Sequence, residues 1–121
     1  MGDRRTRGRR VGRRLVSTVR RGEVWWFETP GEKARPVLLL TRPEALDALA
    51  AVVVVPATSV IRGLPSELAS GPEHGLAKPC VFSFDNLRTV SKALLTRRIT
   101  MLPDGVLDEA CARLNASLGC A

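Results

Sequence analysis

Apolar residues along this chain fall in short runs separated by turn formers, a pattern that predicts strands rather than long helices. Residues 24–27, Val-Trp-Trp-Phe, read as a short aromatic strand, ended by Thr29-Pro30-Gly31 and a polar loop through Ala34. Residues 36–41 form an apolar run with Pro36 at its first position, where a missing N–H does least harm to a ladder. Residues 43–49 carry a proline near the first turn of a short helix. Residues 51–55, Ala-Val-Val-Val-Val, predict a fully buried central strand that Pro56 should end, with Thr58-Ser59 just beyond. Residues 62–79 hold six Gly and Pro residues and read as loops around a short edge strand near 66–68. A strand over 80–84 should run on towards Val90 with a break near Asp85-Asn86. Residues 92–95 read as a turn or a single helical turn, and residues 98–102 as the last strand.

The C-terminal helix is the clearest expectation. Pro103-Asp104 supplies a start with Asp104 as N-cap. Leu107, Ala110, Cys111, Leu114 and Leu118 then recur at three- and four-residue steps, and Gly119 is a natural stop. Several short strands with one terminal helix predict a mainly β, α+β domain built on a small, strongly curved sheet or barrel.

Charge refines this picture. The 121 residues carry a formal charge of +7. Nine of the nineteen Lys/Arg and one of the twelve acids lie in residues 1–21, so the remainder has ten basic and eleven acidic residues. The basicity belongs to the N-terminal tail, which lacks hydrophobic periodicity. Residues 1–20 are therefore expected to be a disordered Arg-rich extension, and 21–121 the folded domain. Such an arm could hold nucleic-acid phosphates without reading sequence, or be a leader with no part in folding. No run approaches the roughly 18 apolar residues of a membrane span, and a cytoplasmic location is expected.

Cys80, Cys111 and Cys120 are odd in number and fit neither a zinc knuckle nor a disulfide framework. With His74 the sole histidine, neither a two-histidine acid–base pair nor a metal centre of about four ligands is expected, and no cofactor is called for. No Gly-rich phosphate loop precedes a Lys-Ser/Thr pair. What remains are arginines and hydroxyls near strand ends. Arg35 stands where a loop enters one strand, and Thr58 where the next strand leaves. Antiparallel neighbours would bring these ends together. By spacing alone, Arg35 could equally make a surface salt bridge and Thr58 cap a turn. Trp25, Trp26 and Phe27 could stack bases or serve a core or dimer interface.

Four segments carry a resemblance. Arg21-Gly22-Glu23-Val24-Trp25-Trp26 resembles the opening of the MazF/PemK toxins. Arg35-Pro36-Val37-Leu38 is similar to their Arg-Pro-Val-Leu segment, and Val54-Val55-Pro56-Ala57-Thr58-Ser59 to their hydrophobic-Pro-Leu-Thr-Ser segment. Phe84-Asp85-Asn86-Leu87-Arg88-Thr89-Val90 resembles their Asp-Gln-Ile-Arg-Thr-Val segment, with Lys92 and Leu95 matching the region that follows. The order is kept across residues 21–119.

The resemblance implies an SH3-like barrel, a symmetric homodimer, and sequence-specific, metal-independent cleavage of single-stranded RNA to 2′,3′-cyclic phosphate and 5′-hydroxyl ends. It also implies a cognate antitoxin whose acidic, extended tail covers the RNA groove. Arg35 matches the family's catalytic arginine and Thr58 its catalytic Thr/Ser. Glu32, Lys33, Ser59, Arg88 and Lys92 become candidates for RNA binding. The loop before Arg35 is shorter than is usual in the family, and Asn86 replaces its glutamine. Two other readings compete: a gyrase-binding toxin of the CcdB type, which shares the barrel, and a non-catalytic RNA-binding barrel.

Overall fold

The computed structural model describes residues 19–120. Seven strands, all paired antiparallel, make one sheet in the order β4-β5-β3-β2-β1-β7, with β6 on β3. They are β1 (Glu23–Phe27), β2 (Arg35–Leu39), β3 (Ala51–Thr58), β4 (Glu67–Ser70), β5 (Cys80–Ser83), β6 (Arg88–Ser91) and β7 (Leu95–Met101). The short helix α1 (Pro43–Leu46) follows β2, and α2 (Asp104–Leu118) ends the domain. The mainly β architecture with a C-terminal helix is the one expected. Among the described residues no helix is long and apolar enough to cross a membrane.

Period-two alternation feeds two cores, one on each face of the sheet. Val24, Leu38, Val55 and Ala57 enter the first, with Phe82, Phe84 and Leu102. Their sequence neighbours Trp25, Val37, Leu39 and Val54 enter the second, with Phe27, Leu46 and Leu95. Each fully buried Val, Leu or Phe contributes about 1.5–3 kcal/mol of transfer free energy. Helix α2 covers the first core through Ala110, with Val106, Leu107 and Leu114 packed around it. Gly22 permits this close approach: its φ is +92°, and a Cβ there would stand 2.6 Å from Leu107 Cδ1.

Strand β3 serves three partners. One edge pairs β2; the other pairs β6 over Ala51–Val54 and then β5 over Ala57 and Thr58. Pro56 does not end the strand, as its sequence suggests, but lies opposite Val37 within it. The Val53 carbonyl accepts from Leu40 N–H on the β2 side, so alternate residues 55 and 57 face that side too. Pro56 faces the opposite edge, at the gap where β6 has finished and β5 has not begun. No ladder bond is lost there.

Other expectations shift. Residues 1–18 of the expected extension lie outside the described residues, but Val19 and Arg20 belong to the fold. Val19 is buried in the second core, and Arg20 N–H donates to Glu23 Oε1 at 2.8 Å. Asp104 is not the N-cap of α2: Pro103 holds that place in extended conformation, and no side chain caps the helix. Asp104 falls in the first turn, where a carboxylate favours the positive end of the helix dipole. Cys111 and Leu118 stay exposed rather than joining the buried face. Gly119, at φ +71°, ends the helix as expected. The breaks at 84–86 and 92–94 are single 3-10 turns.

Candidate active site

The β2–β3 ladder sets the geometry. Val37 faces Pro56 and Leu38 faces Val55, so the same register carried two residues further sets Arg35 against Thr58. On the other side of β2, Arg35 pairs with Phe27 and Pro36 with Trp26. Trp26, Pro36 and Ala57 share the face of the first core, where no residue of α2 lines the surface. There the core opens into a cleft of about 250 Å³.

Trp26, Lys33, Arg35, Thr58, Ser59 and Lys78 line this cleft. Its volume lies just under the ~300–1,000 Å³ of sites that enclose a drug-sized ligand, which suits one unit of a polymer lying across it. Trp26 is half-buried, and Arg97 holds its guanidinium 5.9 Å from a Trp26 ring centroid. The far wall is the segment entering β5, where Leu76 and Cys80 are buried and Ala77, Lys78 and Pro79 exposed.

Thr58 lines the cleft and also caps a turn. Its Oγ1 accepts the Val60 N–H at 3.1 Å, which makes it a turn cap. A hydroxyl that accepts one hydrogen bond can still donate its own proton. Arg35 lines the cleft and makes no ion pair among the described residues, although its charge is felt by Glu32. Burial, with the Glu73 charge adding and Lys78 opposing, pushes the Cys80 thiol up from its ordinary value. It is protonated at neutral pH and is no thiolate nucleophile. Among the described residues, no group of three or more His, Cys, Asp or Glu side chains converges.

Other candidates lie elsewhere. Glu32 is held by Arg88, whose Nη1 and Nη2 donate to its carboxylate at 2.9 and 3.3 Å. This hydrogen bond, with the charges of Arg88 and Arg35, holds the Glu32 carboxyl below the ordinary glutamate range. Arg88 also stacks on Phe27, its Cζ 5.1 Å from the ring centroid. Lys92 is a correction. It is 7% exposed, and its Nζ donates to the Leu46 carbonyl at 2.6 Å. It follows Ser91, which pairs with Ala51 at the far end of β3 from Thr58, roughly 23 Å away at about 3.3 Å per residue. It is an internal tie, not a cleft cation.

Sequence reasoning missed Lys78 and left Trp26 undecided. The period-two pattern could have separated Trp26 from Trp25 and Phe27, since it shares the face of Val24. Nothing in the Gly/Pro-rich stretch before β5 marked Lys78.

The model of a family described as PemK-like, MazF-like toxin of type II toxin-antitoxin system matches residues 20–118. The probable endoribonuclease MazF2 of Mycobacterium tuberculosis is 48% identical over 103 residues, covering 84% of this chain and 100% of that protein. The structure of the Mycobacterium tuberculosis toxin MazF-mt6 superposes with a TM-score of 0.76 at 30% identity, over 82% of this chain and 98% of the toxin. An endoribonuclease in complex with its cognate antitoxin, from a mycobacterial species, gives a TM-score of 0.77 at 26% identity, over 86% of this chain and 98% of that one. The match takes in the first core, the second core apart from Val19, and every side chain named in the cleft, and the chain belongs to the PemK-like, MazF-like toxins of type II toxin-antitoxin systems.

Proposed function

We propose that this chain is the endoribonuclease of a toxin-antitoxin pair, cutting single-stranded RNA in the cleft between Arg35 and Thr58. The observation that carries this reading is that an unpaired guanidinium and a pre-oriented hydroxyl, from the facing ends of β2 and β3, line one cleft.

The reaction uses the RNA's own nucleophile. The 2′-oxygen attacks the adjacent phosphorus and loses its proton; the bond to the 5′-oxygen breaks, and that oxygen takes up a proton. The products are a 2′,3′-cyclic phosphate and a 5′-hydroxyl. Charge gathers on the non-bridging oxygens as the pentavalent phosphorane forms, and stabilising it lowers the barrier. Arg35 can present two parallel N–H donors to those oxygens, and Thr58 a third donor. A guanidinium offers N–H donors and no acceptor, so Arg35 acts as charge stabiliser rather than proton acceptor. No metal is required by this chemistry.

A homodimer would extend the groove across two copies. The antitoxin's acidic tail would occupy the same cation-lined cleft as the RNA, which explains inhibition by simple exclusion. An RNA substrate supports a cytoplasmic location for the chain.

Purified protein incubated with a mixed RNA pool in EDTA should cut it and leave 5′-hydroxyl ends. Arg35→Ala should lower the rate at least 100-fold, with fold and oligomeric state unchanged by circular dichroism and size exclusion. Undiminished cleavage by Arg35→Ala would remove the residue from the site, and loss of wild-type activity in EDTA would reject the metal-free mechanism.

A further inference from the structure

Four basic side chains are engaged by the fold's own groups, while others, the exposed Arg42 and Arg62 among them, enter no ion pair among the described residues. Arg88, Arg98 and Arg113 are engaged by Glu32, Glu23 and Glu109, and Lys92 by the Leu46 carbonyl. Lys33, Arg35 and Lys78 enter no ion pair among the described residues, and all three line the same cleft. Arg35 and Lys33 approach it from β2 and the loop before it. Lys78 approaches from the opposite wall.

That wall is fixed at both ends. Leu76 is buried in the first core, and its N–H donates to the Gly71 carbonyl at 3.1 Å. A 3-10 turn over Pro72–His74 tightens the preceding segment, with Gly75 N–H donating to Pro72 at 3.1 Å. Cys80, two residues after Lys78, is buried in the same core and begins β5, paired with Ser70. Three exposed residues thus bridge two anchored ones. The proline at 79 disfavours the helical region for Lys78 itself. An ammonium held on a short, anchored bridge opposite a guanidinium is built to meet an anion that spans the cleft.

Resting on the ribonuclease reading, we infer that Lys78 is a positioning residue that binds a phosphate of the RNA strand next to the scissile one. The scissile phosphate lies between Arg35 and Thr58. A chain crossing the cleft from there carries its next phosphate toward the opposite wall, where Lys78 is the cation. Lysine serves as a point charge without sequence readout, so its contribution is to affinity and register rather than to base choice.

The test separates binding from chemistry. Binding of a mixed-sequence 2′-O-methyl RNA 20-mer, which lacks the attacking hydroxyl, is measured from 50 to 200 mM salt. KM and kcat are measured on an RNA that the wild type cuts. Lys78→Ala should weaken binding and raise KM about five- to tenfold, with kcat within twofold. The slope of log affinity against log salt should shrink by about 0.7, the value of one single-strand phosphate contact. Lys78→Arg should restore both. Arg42→Ala, which removes an exposed charge beside α1, should change neither. Wild-type binding, slope and KM in Lys78→Ala overturn the inference, as does a loss confined to kcat or an equal loss in Arg42→Ala. A wild-type protein that neither binds nor cuts RNA overturns the ribonuclease reading and this inference with it.

Discussion

Arg35 and Thr58 stand at the facing ends of β2 and β3, two residues beyond the last paired position, Val37 against Pro56. Their meeting depends on one register. A slip of a single residue would turn one of them to the other face and dismantle the cleft without touching either side chain.

Thr58→Ala should reduce cleavage about 100- to 1,000-fold, the usual cost of removing one donor from a developing oxyanion. Thr58→Ser keeps the hydroxyl and its bond from Val60 N–H, and should retain most of the activity. The check is single-turnover cleavage of one RNA by both variants. Equal rates for Thr58→Ala and wild type would leave the hydroxyl only its turn-capping role.

The Glu32–Arg88 pair predicts a pH dependence. Arg88 depresses the Glu32 pKa, so whatever stability the pair lends is present above the ordinary glutamate value and is lost as pH falls through the depressed one. Both partners are well exposed, so Glu32→Gln should leave global stability nearly unchanged. It frees Arg88 beside the groove and should tighten binding of 2′-O-methyl RNA at neutral pH. Titration of the wild type below the glutamate range should approach the same affinity. Weaker binding by Glu32→Gln would instead give the carboxylate a direct role toward RNA.

Lys92→Ala should act on the fold rather than the substrate. It leaves the buried Leu46 carbonyl without its 2.6 Å donor, a loss of about 1–3 kcal/mol. The urea midpoint should fall, while the salt slope of RNA binding stays that of the wild type. A reduced slope with an unchanged midpoint would return Lys92 to the RNA surface.

Strand content and the terminal helix were legible because both rest on local pattern: alternation in β1 and β2, the valines of β3, and the three- and four-residue steps of α2. Pro56 misled because its tolerance depends on which edge of β3 is unpaired at that point, a property of two other strands. Asp104 misled because Pro103 can itself hold the cap conformation. In the cleft, the meeting of Arg35 and Thr58 was legible from strand ends. Lys92 was not: its burial follows from α1 presenting the Leu46 carbonyl across 46 residues of sequence. Lys78 escaped notice because a lysine between an alanine and a proline has no local signature; only the anchoring of Leu76 and Cys80 gives it a place.

The segment after Thr58 also has an unusual support. Glu67 is buried, and its Oε1 accepts the N–H groups of Arg62, Gly63 and Leu64 at 3.1, 2.9 and 3.3 Å. Meanwhile Val60, Ile61 and Leu64 in this segment leave much of their side chains in water. The loop is therefore shaped by one carboxylate oxygen rather than by packing. Its conformational entropy is settled when the domain folds, not when a ligand arrives, so an incoming strand meets a rim whose shape is already determined. The position of the Thr58 hydroxyl thus owes part of its constancy to a glutamate nine residues along the chain.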